Sequence, residues 1–170
     1  MRKLWILLAL IAITFSTGST GYAWPQDNPA GMNAAPEFNL KDIQGKDISS
    51  AQFKGKITVI SFWATWCYWC RKESAQLNKL YGNYKDKGVE VVGISVDEGG
   101  ILDVGPFLRV IPMNYKVLLA SPSMAMRLGI NGLPVTMVVN KDWKIFRYYP
   151  GYMDYEVFEK DVLVLSGGSK

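Results

Sequence analysis

Cys67 and Cys70 are the only cysteines in a chain of 170 residues. Two residues separate them, a spacing that lets the second sulfur reach the first, so the pair can close and open as a reversible disulfide. Other chemistries compete for the same pair. A structural zinc site needs about four ligands, and the chain has no histidine. Cu(I) on two thiolates, or a metal shared across a dimer, needs only the ligands present. A purely structural disulfide would close a loop too short to constrain the unfolded chain much. Redox exchange is the reading these residue types favour, with the metal alternative left open.

The cysteines must be held by their surroundings. The apolar, β-prone run Ile57-Thr58-Val59-Ile60-Ser61-Phe62-Trp63 leads through Ala64-Thr65-Trp66 into the pair, and Leu77, Leu80, Tyr81 and Tyr84 follow at helical spacing. This predicts a strand over 57–63, then a helix to about Lys85, stopped by Lys87-Gly88. A helix N-terminus offers unpaired N–H groups and a partial positive charge, which favour thiolate over thiol. A second β-branched run, 89–96, completes a βαβ crossover, so the two strands are expected to be parallel neighbours. Residues 99–114 are punctuated by glycine and proline, with a short helical piece at 104–110. A strand at 115–119 and a short helix at 123–128 follow. Strands 134–140 and 144–149 form an antiparallel pair about the tight turn Lys141-Asp142-Trp143. A helix over 154–165 ends the pattern. Upstream, Phe38-Asn39-Leu40 and Lys46-Asp47-Ile48 flank Asp42-Ile43-Gln44-Gly45 as a small hairpin.

These elements give an α/β fold with a mixed sheet covered on both faces. The cysteines lie past the carboxyl end of strand 57–63, the edge where open α/β sheets place their sites. Asp97-Glu98 is expected at that edge as a solvated loop.

The N-terminus reads as an address. Arg2 and Lys3 precede an apolar run over 4–15, and Gly21-Tyr22-Ala23 is a small-x-small cleavage site. That order describes a secretory signal peptide over 1–23. The run is short for a membrane span, and an uncleaved anchor is the alternative. Residues 24–35 read as a linker, 36–166 as one domain and 167–170 as a tail. Export, to a periplasm or the outer face of the cytoplasmic membrane, would place the pair where protein disulfides form. The net charge of +4 is dispersed, which argues against a nucleic-acid surface.

Several separated pieces together resemble the thioredoxin fold, and more closely the TlpA/ResA-like exported thiol-disulfide oxidoreductases. They are Pro36-Glu37-Phe38-Asn39-Leu40-Lys41-Asp42 with Gly45-Lys46; Phe53-Lys54-Gly55-Lys56; Phe62-Trp63-Ala64-Thr65-Trp66-Cys67-x-x-Cys70-Arg71-Lys72-Glu73; Gly88-Val89-Glu90-Val91-Val92-Gly93-Ile94-Ser95-Val96-Asp97; and Gly129-Ile130-Asn131-Gly132-Leu133-Pro134-Val135-Thr136. The resemblance implies a thioredoxin-like mixed sheet with helices on both faces, an N-terminal β-hairpin and a central insertion. It implies Cys67 as nucleophile, Cys70 as resolving thiol, and a cis Pro134 facing them, with Leu133 offering backbone groups to an extended partner. No cofactor beyond the redox-active disulfide is implied, and no metal. The implied partners are protein thiols or disulfides, apocytochrome c among them, and a membrane or exported electron-transfer protein. The implied role is that of a reductant, and the chain is expected to be a monomer.

Glu73 admits two readings. Three positions past Cys70 on the same helical face, it could move protons during exchange, or it could complement the helix dipole and face water. Active-site glutamates at this position in the similar family add weight to the first. The chain also departs from the family. Ser61 stands where thioredoxins carry a buried aspartate, Tyr68 and Trp69 fill the gap between the cysteines, Ala75 replaces a kinking proline, and Asp142-Trp143 replaces an Asp-Gly turn. Trp63 and Trp66 read as packing that shelters the sulfurs. Trp66, Tyr68, Trp69 and Leu133 form the candidate partner-contacting set. Met124 and Met126 read as gap-filling. Two further functional classes remain at this level: a Cu(I)- or protein-binding module without redox turnover, and a thiol peroxidase, which Thr65-Trp66-Cys67 suggests and the tight CxxC disfavours.

Overall fold

The computed structural model describes residues 33–167. The leader, residues 24–32 of the linker and the last three residues of the tail expected from the sequence lie outside the described residues. Within them, seven strands form one sheet in the order β2-β1-β5-β4-β3-β6-β7.

Its centre is β3 (Ile57–Trp63), paired in parallel with β4 (Val89–Ser95) from Ile57↔Val89 to Trp63↔Ser95. Every residue of β3 and of β6 (Val135–Val139) is buried, so both faces of the sheet centre are covered. That is why these strands read as continuous apolar runs without alternation. The crossover helix α1 (Tyr68–Tyr84) packs on β4 and beside α4 (Tyr155–Leu165). Leu77, Leu80 and Tyr84 supply its buried stripe. The helix is continuous past Ala75. A 3₁₀ turn over Lys85–Lys87 closes it, with Gly88 left-handed at φ +80, a conformation that glycine takes without steric cost.

The segment predicted as a short helix is longer. It forms α2 (Ile101–Val110), whose first turn holds Asp103 accepting the Gly99 N–H at 2.9 Å. The strand that follows, β5 (Lys116–Leu119), extends the sheet in parallel beside β4. Two successive β-α-β units therefore step the same way across the sheet. Their common right-handedness sets α1 and α2 on one face, where Asn78 of α1 bonds the Pro112 carbonyl and the Asn114 N–H just beyond α2. The N-terminal hairpin, β1 (Asn39–Asp42) and β2 (Asp47–Ser49), joins the far edge of β5 through Lys41↔Leu119 and Asp42↔Leu118. Helix α3 (Pro122–Arg127) leads back to β6, and β6 pairs antiparallel with β3 and with β7 (Ile145–Pro150).

Two local features differ from expectation. Asn33 to Ala35, read as the end of a linker, are docked on the β6–β7 turn. Ala35 is buried, its N–H donates to the Trp143 carbonyl at 3.0 Å, and Ile145 N–H donates to Asn33. In that turn Trp143 itself takes the left-handed conformation, φ +60, that a glycine would ordinarily fill. Its indole is buried and stacks on Phe53 at 6.5 Å, and that burial offsets the backbone cost. Among the described residues no helix is long and apolar enough to cross a membrane.

Candidate active site

β3 ends at Trp63, and the next turn is held from both sides at Thr65. The Thr65 N–H donates to both carboxylate oxygens of Asp97, at 3.0 and 3.1 Å, and its hydroxyl donates to Asp97 Oδ1 at 2.7 Å. The Thr65 carbonyl accepts from Arg71 Nε and a terminal guanidinium nitrogen at 3.1 and 2.9 Å. Ser95 Oγ completes the carboxylate's shell at 2.7 Å. Asp97 is thus 3% exposed. The expectation of a solvated Asp97-Glu98 loop is corrected for Asp97, because three polar groups of its neighbours converge on it. Glu98 is exposed.

This clamp delivers Cys67 to the N-cap of α1. Its Sγ accepts the Cys70 N–H at 3.2 Å and its carbonyl accepts the Arg71 N–H at 3.3 Å. No acidic side chain lies in the first turn of the helix, so nothing there opposes a thiolate on Cys67. The two cysteines form a disulfide, with Cys67 7% and Cys70 3% exposed. Cys67 is the outer of the two, and Cys70 lies on the buried face of the helix.

One turn further, on that same face, Glu73 is 1% exposed. The water-facing reading of this residue is therefore wrong. Its Oε2 accepts from Ser61 Oγ at 3.1 Å and Thr136 Oγ1 at 2.8 Å, and its Oε1 accepts the Met153 N–H at 3.2 Å. Ser61 and Thr136 are register partners across β3 and β6, so two hydroxyls stand side by side beneath the helix. Burial pushes the Glu73 carboxyl up to about 7, only partly opposed by those three hydrogen bonds. A group poised there can both take and give a proton near neutral pH. The signal that could have located it is the hydroxyls of Ser61 and Thr136 inside two strands that are apolar but for these two residues and Thr58.

Trp63 is buried and its ring meets Phe107 of α2 at 5.3 Å. It fits because residue 93 on β4 has no side chain. A Cβ on Gly93 would come within 3.0 Å of the Trp63 indole nitrogen and 3.1 Å of the Tyr115 ring. Trp66 behaves differently. It is 69% exposed, so it shelters no sulfur, and its packing role is set aside. Tyr68 and Trp69 are exposed as well, their rings 5.2 Å apart, and Trp69 also meets Tyr152 at 5.6 Å.

The Leu133–Pro134 bond is cis and stands at the start of β6, level with the carboxyl end of β3 through Phe62↔Val135. Leu133, half-buried, lines an open groove of about 970 Å³ that also has Trp66, Asp97, Glu98, Asp103 and Met126 on its walls. Met126 is exposed on that wall, which corrects its reading as gap-filling. Trp66 and Leu133 share this groove, whereas Tyr68 and Trp69 line a separate rim towards Tyr152.

The chain matches the model of the AhpC/TSA family over residues 32–148. It is 31% identical over 163 residues to the thiol-disulfide oxidoreductase ResA of Bacillus cereus, covering 94% of either chain. It is 32% identical over 150 residues to ResA of Bacillus subtilis, covering 87% of this chain and 83% of that one. A Chlorobium tepidum crystal structure described as a candidate thiol:disulfide interchange protein DsbE superposes with a TM-score of 0.74 at 26% identity, over 80% of this chain and 97% of that one. A CxxC disulfide at a helix N-terminus on a thioredoxin-like sheet, with these relatives, places the chain in the ResA-like family of thiol-disulfide oxidoreductases.

Proposed function

We propose that this oxidoreductase works outside the cytoplasm as a reductant of protein disulfides. The observation that carries the mechanism is the buried carboxyl of Glu73, held one turn below Cys70 and poised to titrate near neutrality. In the reduced enzyme, the Cys67 thiolate at the α1 N-cap attacks one sulfur of a partner disulfide. The partner's second sulfur leaves as thiolate with the bonding pair. Cys70 then gives its proton to the Glu73 carboxylate, and its sulfur attacks Cys67 Sγ. The mixed disulfide breaks, the partner sulfur that was bonded to Cys67 leaves as thiolate with the bonding pair, and the Cys67–Cys70 disulfide forms. Two electrons pass to the partner, and the proton on Glu73 is available to a departing thiolate. A dithiol protein of the membrane or the exported space must re-reduce the enzyme.

Two features support protein partners. Trp66, Tyr68 and Trp69 present exposed apolar area around the sulfurs. The backbone at Leu133 and Pro134 lies at the same edge of the sheet, where an extended segment can pair as a strand. The narrower substrate proposed is the oxidised CxxCH segment of an apocytochrome c, whose cysteines must be thiols before haem attachment. Export rests on the leader pattern of residues 1–23 and the chemistry of the pair.

The deciding measurement is the equilibrium reduction potential of Cys67–Cys70 against defined thiol buffers. A value near that of thioredoxin, about −270 mV, supports the reductant role, and one near about −120 mV makes the protein a disulfide donor. Absence of a reversible couple returns the chain to a binding module, for which Cu(I) titration of the reduced protein against a competing chelator is the test.

A further inference from the structure

The loop between β7 and α4 touches the site at three consecutive residues. Gly151 N–H donates to the Pro134 carbonyl at 2.8 Å. The Tyr152 ring lies 5.6 Å from that of Trp69. Met153 N–H donates to Glu73 Oε1 at 3.2 Å. The loop is also tied down at each end. Gly151 sits at φ +100, a region open mainly to glycine, and Tyr152 Oη donates at 2.6 Å to Asp154, the N-cap residue of α4. Tyr152 therefore stands between a ring that faces solvent and a carboxyl that does not.

We propose that Tyr152 is a positioning residue that couples the exposed Trp69 to the buried Glu73, its ring following Trp69 while the adjacent Met153 amide holds the carboxyl. This rests on the reading of Glu73 as the proton carrier. The groups facing Glu73 are few. Cys70 precedes it on the same buried face of α1, and facing it are the Ser61 and Thr136 hydroxyls from β3 and β6, the Tyr115 phenol from just before β5, and the Tyr152 phenol from this loop. No ion pair to Glu73 is formed among the described residues. The three hydrogen bonds are thus what favours its charged form, and only the Met153 donor comes from a loop.

The coupling has a direction. A partner segment laid on Trp69 displaces the ring pair and lengthens the Met153 bond. Losing a donor disfavours the carboxylate, so Glu73 becomes the better proton acceptor when a mixed disulfide is in place. That is the moment when Cys70 must lose its proton to attack Cys67.

The test is NMR titration of the oxidised protein, labelled in backbone nitrogen and side-chain carboxyl carbon, between about pH 4 and 9. In the wild type the Met153 amide shift should follow the Glu73 carboxyl with a shared midpoint. Tyr152→Leu should raise the Glu73 midpoint by about one pH unit and uncouple the Met153 amide from it. Trp69→Leu should shift the midpoint in the same direction with Tyr152 intact, and Tyr152→Phe, which keeps the ring, should shift it less. A Met153 amide that ignores Glu73 in the wild type overturns the proposal, whether or not the variants fold. So does an unmoved Glu73 midpoint in folded Tyr152→Leu and Trp69→Leu. If both variants move the midpoint but Glu73→Gln leaves the pH profile of exchange unchanged, the coupling stands and the proton-carrier reading falls.

Discussion

Glu73→Gln separates the cost of burying this carboxyl from everything else in the fold. The group is protonated up to about pH 7 in the folded protein and to about 4.5 when unfolded. Below 4.5 it is neutral in both states. As the pH rises from there the unfolded chain releases the proton first, and folding loses about 1.4 kcal/mol per pH unit until the folded carboxyl ionises too. Over that window the loss sums to about 3 kcal/mol and then stays constant. Glutamine mimics the protonated form. Its carbonyl can accept the Met153 N–H, and its amide can donate to the Ser61 and Thr136 hydroxyls, which rotate to accept. Urea unfolding of the oxidised protein and the variant should be compared between about pH 4 and 9. The variant should gain on the wild type by about 3 kcal/mol between pH 4.5 and 7, most of it above pH 5. Other titrating groups, including Asp161 with its raised value, are common to both proteins and cancel. A difference curve that is flat, or one in which the wild type gains with pH, would refute the claim that Glu73 is buried with a raised proton affinity.

The other predictions concern the clamp, the rim and the turn. Asp97→Asn puts an amide where Thr65 and Ser95 both donate; it should cost about 1.5–3 kcal/mol in urea unfolding and slow exchange, and unchanged stability would show that the Thr65 contacts do not hold the loop. Trp66→Ser should leave stability within about 0.5 kcal/mol, slow reduction of a folded protein disulfide several-fold and spare a small aromatic disulfide; equal slowing of both would place Trp66 in the chemistry and not in partner contact. Trp143→Gly relieves a left-handed backbone worth about 1 kcal/mol but empties a buried indole site worth about 3–5 kcal/mol; the net loss should be about 2–4 kcal/mol, and a stabilised variant would mean that stacking on Phe53 does not hold the turn.

Much of this architecture is legible in local sequence. β3, β4 and the start of α1 follow from apolar runs, and the cysteines fall at the helix N-terminus because strand and helix meet there. What was not legible depends on register. Nothing local in Lys41 and Asp42 or in Leu118 and Leu119 announces that β1 pairs with β5, since those residues are distant in sequence and meet only once β4 and β5 are parallel. The burial of Glu73 depends on Ser61 lying opposite Thr136, which no window around Cys70 contains. Asp97 reads as solvated beside Glu98, Gly99 and Gly100, and only the approach of Thr65, 32 residues earlier, turns it inward. Trp66 erred the other way. Its neighbour Trp63 is in the strand and packs, whereas Trp66 falls in the turn, where the clamp at Thr65 directs the chain outward.

The docking of Ala34 and Ala35 fixes how the molecule can be presented. They pair at Trp143 and Lys144, beyond the end of β6 that lies level with Thr58, while Pro134 and the cysteines lie at the end level with Phe62. The strands between span roughly 20 Å. The chain upstream of Asn33 therefore departs from one pole of the sheet and the disulfide sits at the other. The two ends of the sheet are thus divided between the entry of the described chain and the redox chemistry. A partner that reaches the sulfurs therefore approaches the sheet from the end away from Asn33.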